Sequence, residues 1–481
     1  MAVALQALSS VSNLTVEGKQ ISVGQDIPMG HKVALRPIET GEHIIKYGFP
    51  IGHASRSIKV GEWVNEHNLE TNLSGTLSYA YHPKTPKPRF SNEDRTFMGY
   101  RRRDGSVGVR NELWIIPTVG CVNGICSRLA EEMRRETGAE NIYAFTHNYG
   151  CSQLGDDHEN TRRILSDLVH HPNAGAVLVV GLGCENNQPA DFERFCADYD
   201  RERVHFITTQ QVEGDEMEAC RTALRKLYSR MQQDKRTPCP LADLRIGLKC
   251  GGSDGFSGIT ANPLLGVLSD YLVAQDGSVV LTEVPEMFGA ETILMDRCAS
   301  EDLFRQTVRL INDFKDFYLR HGEPVGENPS PGNKAGGITT LEEKSLGCVQ
   351  KCGTSLVCDV LDYGERLRTN GLSLLSAPGN DLVASTALAA AGCQIVLFTT
   401  GRGTPLGTVV PTLKISTNSA LYRNKPHWVD FDAGSLADGE DMASLFRRFL
   451  DLVIQTADGR PARNESNGYR EMAIFKTGVT L

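Results

Sequence analysis

The chain has 481 residues, is 40% hydrophobic and 23% charged, and carries a formal net charge of −9. These are the values of an ordinary globular protein of two to four domains at about 100–200 residues each. No run approaches about 18 apolar residues, which argues against a membrane-spanning helix. The one basic cluster, Arg101-Arg102-Arg103, is short and followed by Asp104, so no nucleic-acid partner is expected.

The first residues lack the basic segment and long apolar core of an export signal. Thirteen cysteines cannot all pair, so a cytoplasmic protein with free, metal-binding or catalytic thiols is expected.

Residues 1–75 read as a small β-rich domain. Closely spaced turn signals such as Glu17-Gly18, Thr40-Gly41, Tyr47-Gly48 and Val60-Gly61 separate short apolar runs. Residues 76–98, with Pro83, Pro86 and Pro88, read as a linker. From about 99 the texture alternates between strand and helix. Strands are expected at 112–119, 142–146, 176–181 and 204–208, and helices at 123–137, 157–170, 189–199 and 213–233. This is the pattern of parallel βαβ units.

A boundary is expected at Asp234–Pro238. A second α/β region, 243–481, then repeats the logic, with strands at 244–250, 278–283, 355–360, 372–376 and 394–399 and a long helix at 300–320. The stretch from Asn328 to Gly337, with two prolines and three glycines, is expected to be an irregular functional loop rather than helix or central strand.

Four cysteines stand beside glycine at or near the ends of apolar runs: Cys121, Cys151, Cys184 and Cys250. In open α/β sheets the loops after the strands form the ligand crevice, so these thiols could converge on one soft-metal site. They could equally be buried fillers. Cys121/Cys126 and Cys348/Cys352 would each share a helix face, where core packing is the expected role. His147 could ligate metal or move a proton, or simply satisfy a strand end. Asp156-Asp157-His158 reads as a helix N-terminal turn, with Asp157 or His158 as alternative site groups.

His31-Lys32 and Asn68 suit carboxylate and hydroxyl recognition, or a solvated turn. Gly251-Gly252-Ser253-Asp254 is a loop able to offer N–H groups to an anion. It matches neither the dinucleotide fingerprint nor the P-loop. Arg402 between two glycines suits carboxylate capture. Glu283 and Glu286, near a strand end, are weak acid/base candidates.

Together these residues resemble the altronate/galactarate dehydratase family of sugar-acid dehydratases. The carrying motifs are Gly30-His31-Lys32 with Tyr47-Gly48, Val107-Gly108-Val109-Arg110-Asn111, His147-Asn148-Tyr149-Gly150-Cys151, Gly181-Leu182-Gly183-Cys184-Glu185, Cys250-Gly251-Gly252-Ser253-Asp254, Asn328 to Lys334 and Gly401-Arg402-Gly403-Thr404-Pro405. Asn111-Glu112-Leu113-Trp114, Cys184 to Gln188 and the final Ala473–Leu481 point to its altronate branch.

The resemblance implies a multidomain α/β fold: an SAF-like β-clip domain followed by two Rossmann-like regions with largely parallel sheets. It also implies a hydro-lyase that takes D-altronate to 2-dehydro-3-deoxy-D-gluconate plus water. Iron(II) is the implied cofactor, with manganese as a substitute and an iron–sulfur cluster left open.

On that reading Cys121, Cys151, Cys184 and Cys250 form the ligand pool and His147 is ligand or acid. Glu185 or His31 is the base. Lys32, Asn68, Ser253, Asp254, Asn333, Lys334 and Arg402 bind substrate. The expected partner is a small sugar acid, in a chain that could form a homo-oligomer. Galactarate or another aldarate on the same site, and a non-catalytic sugar-acid or metal sensor, are the alternatives.

Overall fold

The computed structural model describes residues 1–16 and 18–480. Glu17 of the first predicted turn and Leu481 of the final motif lie outside the described residues. The turn-rich N-terminal sequence folds into short antiparallel strands. One sheet joins Ala2–Val3, Lys32–Val33 and Trp63–Val64; another joins His43–Lys46, Phe49–Ala54 and Leu69–Glu70. A small apolar cluster of Leu8, Val23, Ile27 and Val33 holds one end. At the other end Ile44, Ile51 and Leu69 merge into the core of the C-terminal region.

The β-branched runs expected to be buried become two parallel sheets, whose strands we number along the chain. The central sheet comprises β1 (Glu112–Pro117), β2 (Ile142–Ala144), β3 (Ala174–Gly181) and β4 (Val204–Thr208) in the order β2-β1-β3-β4.

The C-terminal sheet has seven parallel strands: β5 (Arg245–Cys250), β6 (Ser278–Leu281), β7 (Val357–Leu361), β8 (Gly371–Leu375), β9 (Ile395–Thr400), β10 (Thr412–Ser416) and β11 (Phe431–Asp432). Their spatial order is β7-β8-β6-β5-β9-β10-β11. The chain leaves β5 toward β6 on one side and returns as β9 on the other. The carboxyl ends of β5 and β9 therefore flank a topological switch point, where open α/β sheets bind ligands.

Three local expectations are corrected. The end of the predicted linker and the predicted boundary meet as strands, Thr96–Arg101 pairing antiparallel with Thr237–Pro240. Prolines 238 and 240 are tolerated because this strand lies at a sheet edge. Within the predicted irregular loop, Pro331–Ala335 is a short helix: Pro331 occupies its first turn, where no N–H is needed, and Ser330 and Asn333 form a reciprocal capping box. Strands β10 and β11 carry no expected counterpart.

Candidate active site

The loop after β5 is pinned to the loop after β9: Gly401 and Arg402 donate backbone N–H bonds to the Gly252 carbonyl at 3.0 Å each. A Cβ at Gly252 would sit 3.2 Å from the Arg402 Cβ, and one at Gly251 would reach 2.5 Å from an Asp381 carboxylate oxygen. Glycine is thus what lets Arg402 and Asp381 close on this turn. Arg402 is exposed at the rim.

Below the rim lies a buried group of metal-capable side chains. The Sγ atoms of Cys250 and Cys348 are 3.2 Å apart and lie 3.1 and 3.0 Å from the same Glu286 oxygen. All three residues are buried, and they are the one set of three metal-capable side chains, among the described residues, whose ligand atoms lie within 4.8 Å of one another.

Cys250 ends β5, Glu286 lies in a helical turn after β6, and Cys348 ends the helix Leu341–Cys348. Lys344, one turn before Cys348, donates to the other Glu286 oxygen at 2.8 Å. Burial pushes the Glu286 carboxyl up, but the ammonium groups of Lys344, Lys249 and Lys351 outweigh it and hold the acid ionised. Lys249 and Lys351 both pair with buried Glu283, Lys351 at 2.8 Å, and Lys249 also reaches Asp381 at 2.8 Å.

Two soft sulfur donors and a hard carboxylate suit a borderline divalent ion such as iron(II) or zinc. The Ser253 hydroxyl, on the same small cavity as Cys348, is buried without a hydrogen-bond partner. Such an orphan calls for a ligand or ion to complete it. The donor set therefore fits a resident divalent metal.

The N-terminal domain docks onto the same helix. Lys32, fully buried, donates to Glu343 at 2.8 Å, to the Gly337 carbonyl at 2.7 Å and to the Thr339 hydroxyl at 2.8 Å. Lys46 reaches the other Glu343 oxygen at 2.7 Å. Thr71 and Asn72 bind Glu342. The backbone of Gly30 packs so closely that a Cβ at Gly255 or Gly337 would overlap its carbonyl oxygen.

Several expected roles change accordingly. Lys32 is a docking cation, not a free carboxylate receptor. Asn68 is spent inside its own domain, on Trp63 and Asn65. His31 lies between the Trp63 indole N–H and the Ala335 carbonyl, each at 3.2 Å, so neither ring nitrogen is free to act as base. Asp254 accepts from Thr417, Ser257 and Asn418 and holds the crevice loops together. Asn333 binds the Ser253 carbonyl at 2.8 Å, while Lys334 is exposed.

Of the four expected cysteine ligands, only Cys250 belongs to a set of three metal-capable side chains within 4.8 Å of one another among the described residues. Cys121 and Cys184 are exposed and Cys151 half-buried at the strand ends of the central sheet, while Cys250 is buried at the end of β5 in the C-terminal sheet. At the central sheet's end the expected acid and histidine are hydrogen-bonded within the chain, while Asn123 Oδ1 and Asn187 Oδ1 are buried without a partner. Glu185 accepts from the Thr118 hydroxyl at 2.7 Å and the Leu182 N–H at 3.0 Å. His147 is bonded to the Pro117 carbonyl at 2.8 Å and accepts from the Tyr149 N–H. Asp157 accepts the N–H groups of Thr477 and Gly478 in the C-terminal tail, while His158 is half-buried with an unpartnered Nδ1.

Cys348, read from the sequence as a packing residue, is buried with its Sγ 3.2 Å from that of Cys250 and 3.0 Å from Glu286. Its ligand-like placement depends on the three-dimensional approach of the helix Leu341–Cys348 to the end of β5, which no local spacing encodes. The same holds for Lys344. A larger cleft of about 570 Å³ runs beside Phe314, Phe317 and Tyr363, but it contains no comparable donor set.

Comparison with known families agrees with this architecture. The model described as "D-galactarate/Altronate dehydratase, C-terminal" matches residues 241–480. The one described as "D-galactarate dehydratase/Altronate hydrolase, second domain" matches 99–232, and the "Altronate/galactarate dehydratase SAF domain" matches 1–72. The chain belongs to the altronate/galactarate dehydratase family. Within that family it is 58% identical to altronate dehydratase of Bacillus subtilis, over 99% of this chain and 97% of the relative. It is 56% identical to altronate dehydratase of Escherichia coli, over 100% and 98%. Identity to the L-threo-forming galactarate dehydratase of Escherichia coli is 34%, over 94% and 90%. In this dehydratase-family chain the SAF domain is the part that clamps the helix bearing Glu343, Lys344 and Cys348.

Proposed function

We propose that the chain is a hydro-lyase that converts D-altronate into 2-dehydro-3-deoxy-D-gluconate and water. The carrying observation is the end-to-end kinship with two altronate dehydratases at 56–58% identity, against 34% to a galactarate dehydratase. Cys250, Cys348 and Glu286 would hold an iron(II) ion. When bound, such an ion supplies Lewis-acid stabilisation of developing negative charge.

The chain's own groups then have definite tasks. Arg402 at the rim captures the substrate carboxylate. The proton on the adjacent carbon is weakly acidic; the Gly251 N–H is spent on the Thr399 carbonyl, so the Gly252 and Ser253 N–H groups are the backbone donors left to stabilise the charge that its removal creates. Asp381 is our choice of base: its side chain is 37% exposed, and it touches both Lys249 and the Gly251 turn. Departure of the C3 hydroxyl as water and tautomerisation of the enol complete the reaction.

No helix among the described residues is long and apolar enough to cross a membrane. A cytoplasmic enzyme acting on a diffusible sugar acid fits this, with homo-oligomerisation retained as an expectation. The test is anaerobic turnover with iron(II), reading the 2-keto-3-deoxy acid from altronate and galactarate in parallel. Product from altronate supports the assignment; product from galactarate alone moves the substrate.

A further inference from the structure

The N-terminal domain does more than clamp. Strands His43–Lys46 and Phe49–Ala54 are joined by a two-residue turn, Tyr47-Gly48, with Lys46 paired to Phe49. Both turn residues have positive φ, 54° and 82°, as in a type I′ turn. The first position of that turn favours asparagine, aspartate or glycine, and a bulky aromatic residue there is an outlier. Backbone strain of this kind persists where the surroundings enforce it, and it clusters at functional sites.

The side chain's surroundings supply the reason. Tyr47, Ser253, Lys344 and Cys348 border one small cavity beside the cysteine–glutamate group. Gly258 makes room for the phenol, since a Cβ there would lie 2.6 Å from the Tyr47 Oη. The Lys46 ammonium, bound to Glu343, lies 5.0 Å from the ring centroid. We propose that Tyr47 is the general acid of the dehydration, a phenol carried into the C-terminal crevice by a hairpin of the N-terminal domain.

Burial raises the phenol above its usual range, outweighing the opposing effect of Lys46, so it stays protonated at neutral pH. The base takes the proton from C2, and the C–H electron pair becomes the C2–C3 double bond. The C3–O bond breaks toward oxygen, which takes the phenolic proton and leaves as water. Solvent then reprotonates the phenolate. The cavity of about 10 Å³ beneath the tip has room for about one water.

This inference rests on the dehydratase reading, and its test separates the two. Wild type, Tyr47→Phe and Tyr47→Asn are assayed on D-altronate and on its 3-deoxy-3-fluoro analogue, whose leaving group needs little proton assistance. Bound iron and Tm are measured alongside. The expected result is a kcat loss of about 100-fold or more for Tyr47→Phe on altronate, less than about tenfold on the fluoro analogue, and unchanged iron. Tyr47→Asn should melt above wild type, because asparagine suits the turn, while losing the same turnover.

Equal loss on both substrates, or kcat of Tyr47→Phe within about fivefold of wild type, overturns the role of Tyr47 and leaves the dehydratase reading standing. Wild type that forms no keto acid from altronate overturns both.

Discussion

Replacing Glu343 by glutamine should separate the N-terminal domain from the site it serves. The carboxylate is buried between two ammonium groups, at 2.8 Å from Lys32 and 2.7 Å from Lys46. Burial alone would raise its pKa, yet the two lysines bring it down from 4.5 to about 2. The difference corresponds to about 3 kcal/mol. The folded-state pKa is the lower one, so this stabilisation is complete above pH 4.5 and is lost as pH falls toward 2.

A single carboxylate does not balance both cations. Lys46 is pushed up, whereas burial outweighs attraction at Lys32 and pulls it down. Glutamine would leave two buried ammonium groups without an anion, a loss of about 3–5 kcal/mol.

The assay is limited trypsin digestion across residues 76–98 together with urea unfolding. Glu343→Gln should release an N-terminal fragment that wild type retains, and unfold at lower urea. Lys46→Met, which leaves a one-to-one Lys32–Glu343 pair, should cost less than Glu343→Gln. Identical digestion and midpoints for Glu343→Gln and wild type would refute the claim that this cluster holds the domains together.

Gly255→Ala adds only a methyl group, but it overlaps the Gly30 carbonyl. It should loosen the same interface in the same digestion, with Ala substituted at exposed Gly24, where a Cβ meets nothing within 4 Å, isolating the steric effect. Arg402→Ala should raise KM for altronate by about tenfold or more, by losing a charge-assisted bond worth about 1.5–3 kcal/mol. kcat should change less; an unchanged KM would remove Arg402 from carboxylate capture.

Burial pulls His147 down to about 4 and His171 to about 3. Both folded-state values lie below 6.5, so stability should fall as pH drops from 6.5 toward 3. His171→Asn should flatten that decline in urea titrations at stepped pH, and an unaltered slope would contradict it.

Much of the fold was legible because hydrophobic period and length distinguish buried parallel strands from amphipathic helices. β1, β3 to β6, β8 and β9 follow apolar runs that stop at or just before glycine, serine or threonine. What escaped were features with no local period: the proline-bearing edge strand Thr237–Pro240 and the capped helix Pro331–Ala335.

The site was half legible for a related reason. Cys250 could be found because it ends an apolar strand at a switch point. Glu286 showed as one weak acid among many. Lys344 gave no signal, and Cys348 stood out only as one of a helical cysteine pair, since a helix end 98 residues from Cys250 becomes its neighbour only through folding. His31 and Lys32 looked like substrate-binding groups because cations recognise carboxylates. The carboxylate that Lys32 meets is Glu343 of this chain.

The most direct test of the account is iron content and altronate turnover of anaerobically reconstituted wild type beside Cys348→Ala and Cys121→Ala. We expect Cys348→Ala to lose both bound iron and keto-acid formation, and Cys121→Ala to keep both. Full iron and full turnover in Cys348→Ala, or their loss in Cys121→Ala, would contradict a catalytic centre built on Cys250, Glu286 and Cys348.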